Sequence, residues 1–465
     1  MQARIRATQR KHNWTAFSNP DMLHGPIFQS LVAFSIPIFL SMLFQNLYNT
    51  VDSFIVSRVL GETALAAVGA GGVILELLIG FANGAGMGMS FGIAKQYGAG
   101  NEEGVKKAAA ASLVVGVLIT LAITLVGLIF LENILHLLNT PKDIIDTAAT
   151  YVRIIIANIF SCFFYNLFCG MLKAIGNSFI PLLYLIFASI LNIVLDILFV
   201  AVFDRGVQGA AEATVIAQGV SALLSGIYIW KKVPLLVPGK RHFLTDFKLY
   251  WETTWTGICT GLMRAIVMIG TLTLQYGINS LGTLTIAAHT AARKVYSFGT
   301  MPVTTLSSSI SMFASQNHGA KQYKRLRRAL MSCYLFDTIY ALFITVLFWY
   351  TAEPAIRFIS GSENAVLLQN GIRYIRVVAP FYLVLGILGQ CRFALQGLGK
   401  TLLPIVSSVI ELIGKVLFTC LFVPKFGYSA VIFCEPIVWC CMAGQLLVSL
   451  YSQPEMRKEV VSSEE

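Results

Sequence analysis

One apolar stretch of the sequence, from Pro37 to Asp52, carries polar side chains at helical spacing and ends in a carboxylate. In a helix the following residues lie on one side: Ser41, Gln45, Tyr48, Asn49 and Asp52. An aspartate within a membrane helix costs roughly 2.5–3.5 kcal/mol to insert, so it normally faces a cavity and marks an ion or substrate pathway. Because Pro37 removes one backbone hydrogen bond, we predict a kink in the helix there.

A second carboxylate, Asp196, follows Asn192 by four residues, so the two share one helix face. Each acid lies 15 residues beyond a proline, Asp52 after Pro37 and Asp196 after Pro181. Both helices are predicted to run from the cytoplasm outward, which places the two acids at a similar height. The predicted position of Thr214, two turns into the next span, reaches the same level.

Two carboxylates that meet in a low dielectric cannot both stay ionised unless a proton or a cation neutralises them. Carboxylate, amide and hydroxyl oxygens are also the ligands that a small hard cation such as Na⁺ accepts. We therefore predict a coupling-ion site made of Asp52, Asn192, Asp196 and Thr214. Around it Gln45, Tyr48, Asn49 and the deeper Asn166 are predicted to line a substrate cavity. The alternative is a buried hydrogen-bond network that only fixes helix packing.

Composition predicts a polytopic helical membrane protein. The chain has 465 residues, of which 56% are hydrophobic and 12% charged, and its mean hydropathy is +0.72. A soluble chain would carry about twice that charged fraction. We predict twelve membrane-spanning helices: 29–55, 63–94, 106–131, 147–172, 178–203, 207–231, 249–279, 285–314, 327–351, 369–394, 401–424 and 428–452.

The net charge of +11 is concentrated in the tail before the first span and in alternate loops. This is the positive-inside pattern of an integral protein, and it argues against nucleic-acid binding. It predicts an inner or plasma membrane location with both termini in the cytoplasm. The predicted parts are a tail (1–28), a six-helix bundle (29–231), a linker (232–247), a second six-helix bundle (248–452) and a tail (453–465).

The two halves resemble each other at a lag of about 220 residues. The segment Leu60–Ala67 matches Leu281–Ala288, and Gly176–Pro181 matches Gly399–Pro404. Six spans separate the copies, so both have the same orientation, and we predict two pseudo-symmetric bundles with the transport path near mid-membrane. In the second span a glycine run, Gly80, Gly84, Gly86 and Gly88, predicts close helix packing.

The second half lacks the acid pair but has buried charges of its own. Threonines stand near the positions that correspond to Asp52 and Asp196. We predict internal ion pairs, with gating or substrate contact as the alternative, among Arg264, His289, Lys294, Glu411, Lys415 and Glu435. Six scattered histidines and nine unpaired cysteines predict no metal site and no disulfide.

These motifs together resemble the multidrug and toxic compound extrusion (MATE) family, in particular its prokaryotic DinF-like branch. The resemblance covers residues 29–450 and rests on Tyr48-Asn-Thr-Val-Asp52, Leu60-Gly61 through Gly69, and Leu191-Asn-Ile-Val-Leu-Asp196. It implies an antiporter that exports lipophilic, often cationic compounds in exchange for H⁺ or Na⁺. The first-bundle site of that branch maps onto Tyr48, Asp52, Asn166, Asn192, Asp196 and Thr214.

No enzymatic activity and no cofactor beyond the coupling ion are expected. The expected partners are small-molecule substrates and the lipid bilayer, with the protein acting as a monomer. Two alternatives stay within the same superfamily: a flippase for lipid-linked precursors, and an exporter of a specific metabolite. An intramembrane prenyltransferase is disfavoured because it would need clustered carboxylates for Mg²⁺-diphosphate, and only isolated acids are present.

Overall fold

The computed structural model describes residues 20–137, 140–141 and 144–457, and these residues form helices, turns and loops without a strand. Inside the first helix it leaves out the side chains of 53–54, 56–57, 61–63 and 65–66. Most of the two predicted cytoplasmic tails lies outside the described residues. The all-helical class predicted from composition is confirmed.

In the first half, the described residues form six α-helices and one π-helical segment. The helices are α1 (Ile27–Gly98), α2 (Glu102–Leu137), α3 (Ile145–Ala157), α4 (Ile159–Ala174), α5 (Phe179–Asp196) and α6 (Gly206–Lys232), and the π-helix Ile197–Val202 continues α5. Two apolar spans, Ile27–Asp52 and Ala67–Gly98, lie within α1. Asp52 is within electrostatic reach of Tyr151, and a Cβ on Gly71 would lie 3.7 Å from the same ring. A straight helix would separate these positions by about 28 Å, so α1 bends between its two spans.

The second half repeats this arrangement. Its helices are α7 (Phe247–Asn279), α8 (Thr283–Gly319), α9 (Tyr323–Ser360), α10 (Ala365–Val378), α11 (Tyr382–Gly397), α12 (Leu402–Leu417), α13 (Val423–Phe426) and α14 (Tyr428–Tyr451), and the π-helix Phe418–Phe422 follows α12. The central α8 packs against α9, α10 and α11.

Ten helical segments of the described chain are long and apolar enough to cross a membrane, and the bent pair α3–α4 makes an eleventh. The remaining predicted span, 285–314, lies in α8. This helix has 37 residues, but its buried side chains include many hydroxyls and amides. The predicted twelve-helix arrangement therefore stands, with one span that is polar because it lies inside protein.

The backbone confirms the internal repeat at three further points. α3 and α4 are bent by 46° around Asn158, and a 3₁₀ turn, Ala379–Phe381, interrupts the corresponding helix of the second half. Gly176 and Gly399 both have positive φ, 92° and 77°. The π-helices follow α5 and α12 at equivalent places, so the widened turn belongs to the repeated fold and not to the acids of the first half.

By its contacts the described chain divides into two compact units. The first unit contains residues 20–21 and Ile36–Ala265, and the second contains Met22–Ser35 with the described part of Ile266–Glu465. α7 is thus divided at Ala265. The bundle limits given above, 29–231 and 248–452, stay a prediction.

A glycine contact explains why the start of α7 belongs to the first unit. Gly84 of α1 faces Thr260 and Gly261 of α7, and Gly88 faces Thr256 and Thr260. A Cβ on Gly84 would lie 2.7 Å from Thr260 O and 2.9 Å from Gly261 Cα, and one on Gly261 would lie 2.9 Å from Phe81 O. The helices approach as closely as small-residue pairs permit in membranes. The packing predicted for the glycine run is confirmed at Gly84 and Gly88, and also at Gly86, where a Cβ would lie 3.3 Å from Leu167 N of α4, whereas Gly80 has no atom within 4 Å.

Loops predicted to lie on the cytoplasmic side contact each other within each unit. In the first unit, Arg241 Nη2 and His242 Nε2 bind Glu103 at 2.6 and 3.0 Å. In the second unit, Arg325 Nε donates to Met22 O at 3.1 Å, and Arg327 Nη1 donates to Arg457 O at 3.0 Å. In each unit, segments rich in lysine and arginine that are far apart in the sequence therefore lie next to each other.

Candidate functional site in the first unit

The two carboxyl groups predicted to meet, those of Asp52 and Asp196, are hydrogen-bonding neighbours in the first unit. Asp196 is 0% exposed, and the Oδ1 atoms of both acids are buried and accept no hydrogen bond from an N–H or O–H group of another residue. Two carboxylates can make this contact only if one carries a proton or a cation lies between them, because neither ionised group is a donor. The arrangement is therefore able to bind one positive charge.

Asn192 and Thr214 complete the cluster around Asp196. With its amide oriented to suit both neighbours, Asn192 donates to Asp196 Oδ2 at 2.8 Å and accepts from the backbone N of Thr214 at 3.2 Å. Asn192 is 1% exposed, so the amide is held in place and fixes one oxygen of the acid. All four residues of the predicted coupling-ion site lie together.

Two tyrosines border the acid pair. Tyr48 shares a hydrogen bond with Thr214 and is within electrostatic reach of both acids. Tyr151 of α3, which the sequence analysis did not name, is also within reach of both acids and of Tyr48. Its exposure is 8%. A tyrosine in an apolar helix gives no signal in the sequence, since its relation to the acids arises only when α3 packs against α1.

Local backbone structure places the acids. Asp196 is the last residue of α5 before the π-helix Ile197–Val202, where the wider turn shifts the hydrogen-bond ladder. At the other acid, α1 remains helical through Pro37. There Ser41 Oγ donates to the Pro37 carbonyl oxygen at 2.7 Å. The kink at Pro37 stays a prediction.

The predicted cavity residues have different environments. Gln45 and Asn49 are exposed, while Tyr48 and Asn166 are half-buried. Asn166 Nδ2 donates to Cys162 O at 2.8 Å, and the thiol of Cys162 is within electrostatic reach of Tyr48. Asn166 therefore lies in the surroundings of Tyr48, and Tyr48 lies between it and the acids. The contact of Asn166 with substrate stays a prediction.

Four of the charged residues predicted in the second half, His289, Glu411, Lys415 and Glu435, lie in two clusters within the second unit. The ion pair predicted for Lys294 is absent from the described residues, where its side chain is exposed. In the first cluster, Arg293 Nη1 lies 3.0 and 2.9 Å from the two carboxylate oxygens of Glu435, and Tyr374 donates to the same group at 3.0 Å. His289 Nδ1 lies 3.2 Å from Tyr428 Oη. The partner of Glu435 is thus Arg293, which the sequence analysis missed because the neighbouring Lys294 is also cationic.

In the other cluster, Lys415 binds Glu411 at 2.9 Å and Thr271 Oγ1 at 3.1 Å. Arg392 Nη2 lies 3.8 Å from Glu411. The predicted ion pair of Glu411 with Lys415 is present. Arg264 belongs instead to the first unit, where its Cδ lies 3.1 Å from the position of a Cβ on Gly84.

Within the described residues no group of three or more His, Cys, Asp or Glu side chains could hold a metal ion. All nine cysteines are free.

Long apolar helices in two repeated halves, with a carboxyl pair buried among them, define a multi-span membrane transporter. Two segments match the MatE family model, residues 37–198 and 260–421, and the second match begins and ends 223 positions after the first. Together they cover well over half of the chain. The chain belongs to the MatE family, as the resemblance implied.

Curated relatives and solved structures agree with this assignment. The probable multidrug resistance protein YpnP of Bacillus subtilis (strain 168) is 28% identical over 422 residues, which cover 88% of this chain and 92% of YpnP. The multidrug export protein MepA of Staphylococcus aureus (strain NCTC 8325 / PS 47) is 22% identical, with 92% and 94% covered.

A structure described as the outward-facing conformation of a multidrug resistance MATE family transporter of the MOP superfamily has a TM-score of 0.84 and 23% identity. It covers 93% of this chain and 98% of that one. A second, described as MATE in the bent conformation, has a TM-score of 0.84 and 24% identity, with 92% and 95% covered. At this identity the likeness shows the fold.

Proposed function

We propose that this membrane transporter is an antiporter that exports lipophilic cationic compounds in exchange for H⁺ or Na⁺. The observation that supports the proposal is the contact between the buried carboxyl groups of Asp52 and Asp196. A membrane protein rarely buries two acids without a use, because each is costly in hydrocarbon. The names of the relatives, which refer to multidrug resistance and export, support the choice of substrate.

In the proposed cycle the pair is ionised when the site opens outward and it takes up one proton or one sodium ion. The bound charge cancels the repulsion between Asp52 and Asp196, which lets the surrounding helices close. Asn192 holds one oxygen of Asp196 throughout, so that only the free Oδ1 atoms change partner. Closure expels the compound from the neighbouring cavity, and release of the ion inward resets the site.

The test is dye transport by purified protein in vesicles under separately imposed proton and sodium gradients. Asp52→Asn and Asp196→Asn are expected to abolish gradient-driven transport, because an amide can neither release a proton nor supply a negative charge. Glu76→Gln is the matched control, since Glu76 is an exposed acid of α1 that takes no part in the contact. Full gradient-driven transport by Asp52→Asn protein, made in normal amounts, would refute the coupling role.

We also propose a plasma-membrane location with both termini in the cytoplasm. The support is the contact between lysine- and arginine-rich segments within each unit, together with the positive-inside rule. We further propose that the chain acts as a monomer and needs no cofactor besides the ion. It transports its substrates without catalysing a covalent reaction. Accessibility of single engineered cysteines to a membrane-impermeant maleimide, in intact cells and in inverted vesicles, tests the orientation.

A further inference from the structure

A cavity of ≈ 320 Å³ lies within the second unit. Two apolar residues, Leu274 and Ile278, form part of its wall. The rest is polar or charged and includes Arg293, Lys294 and Glu435. Its volume is at the lower end of the range for small-molecule sites, which mix an apolar wall with a few polar groups.

The charges on this wall do not cancel. Glu435 is neutralised by Arg293, whose Nη1 contacts both of its oxygens. Lys294 is exposed and forms no ion pair with a carboxylate in the described part of the chain. The cavity therefore carries one positive charge in excess, at Lys294.

Arg293 adds hydrogen-bond donors that its carboxylate partner does not use. Its hydrogen bonds to Glu435 and Tyr374 all come from Nη1, and a further hydrogen bond joins it to Tyr296. At least two of its five N–H donors are therefore not engaged by these three residues. The guanidinium lies 4.3 Å from the centre of the Tyr296 ring, so its plane is held in place. A guanidinium fixed in this way and a nearby ammonium are the groups that recognise a carboxylate or a phosphate.

We propose that this cavity binds the carboxylate of an amphiphilic transported compound, with Lys294 and the remaining donors of Arg293 as the anion contacts and Leu274 and Ile278 against the apolar part. This inference rests on the proposed export function for its physiological meaning, but binding to the cavity is measurable without transport.

The test compares two dyes with one ring system: rhodamine B, which has a free carboxylate, and its ethyl ester, which has none. Binding to the purified protein in detergent is followed by fluorescence polarisation. Lys294→Gln is expected to weaken the binding of rhodamine B about tenfold relative to the ester, the size of one partly exposed charge-assisted contact. Lys294→Arg keeps the charge and is expected to retain the wild-type ratio.

Lys425→Gln is the matched control, because Lys425 is exposed and does not line the cavity. An equal loss for both dyes in Lys294→Gln, or no preference of the wild-type protein for the carboxylate, would overturn the assignment. Displacement of rhodamine B by an equimolar amount of phosphatidylglycerol would assign the cavity to a lipid headgroup and would also overturn it. Export assays in vesicles separate the two proposals. If the wild-type protein prefers rhodamine B over its ester but shows no gradient-driven export, only the antiport proposal is contradicted.

Discussion

The glycine contact between α1 and α7 gives a sharp prediction for stability. In Gly84→Ala the added Cβ would lie 2.7 Å from the carbonyl oxygen of Thr260, about 0.7 Å inside the 3.4 Å at which ordinary van der Waals contact begins. The second nearest atom, Gly261 Cα at 2.9 Å, also belongs to the backbone. No side chain can rotate away, so the two helices must separate.

Such overpacking typically costs about 1–3 kcal/mol, and the upper half of this range is expected here because the opposing atoms are backbone. Gly80→Ala is the matched control on the same face of α1, one turn earlier, where nothing lies within 4 Å of the new Cβ. We expect it to change the unfolding free energy by no more than about 0.5 kcal/mol.

The measurement is reversible unfolding by sodium dodecyl sulfate in mixed micelles, followed by tryptophan fluorescence. Equal unfolding free energies for Gly84→Ala and Gly80→Ala would show that α1 and α7 do not approach as closely as described. The explanation for the placement of the start of α7 in the first unit would then be wrong.

Three further predictions concern the second unit. Lys321→Gly is expected to stabilise the protein by about 0.5–1 kcal/mol in the same unfolding assay. Lys321 has a left-handed backbone conformation, with φ 57°, which is strained for a residue with a Cβ, and the first half has Gly100 at the equivalent position with φ 68°. A loss of stability would show that the backbone at Lys321 is not strained. Glu435→Gln is expected to cost about 2–3 kcal/mol, since it leaves Arg293 without its carboxylate partner, and an unchanged unfolding curve would show that the pair contributes nothing. Asp337→Asn is expected to raise stability at neutral pH by roughly 1–2 kcal/mol. This fully buried acid has an unpartnered Oδ1 and only one hydrogen bond, of 3.4 Å, from a glutamine amide. Destabilisation by Asn would show that the negative charge of the carboxylate stabilises the fold.

The fold and the centre of the first site follow from patterns that the sequence states directly. Apolar length determines the spans, and the lag between Gly176 and Gly399 reveals the repeat because both glycines occupy a turn of positive φ. The pairing of Asp52 with Asp196 is predictable for two reasons. An acid in an apolar helix must find a neutralising partner, and the equal spacing from a proline puts both acids at the same depth.

What the sequence did not reveal depends on packing between segments far apart in the chain. Tyr151 joins the acid pair through the contact of α3 with α1, and no local pattern marks it. Arg293 could not be told from Lys294 as the partner of Glu435, because adjacent positions differ by about 100° around a helix and only the neighbouring helices decide which one faces inward. The position of Arg264 after the linker groups it with the second half, but the glycine contact places it in the first unit.

The π-helix after Asp196 has a consequence for how this protein tolerates mutation. Each residue of an α-helix advances the chain by about 100° of rotation, and the widened turn at Ile197–Val202 sets the angular phase between Asp196 and the buried Val200 that follows it. Deleting one residue from this segment would restore regular winding and turn Val200 out of its buried position. Substitutions there that keep the length would leave the phase intact. Length, more than side-chain identity, is therefore the property that evolution of this segment has to preserve.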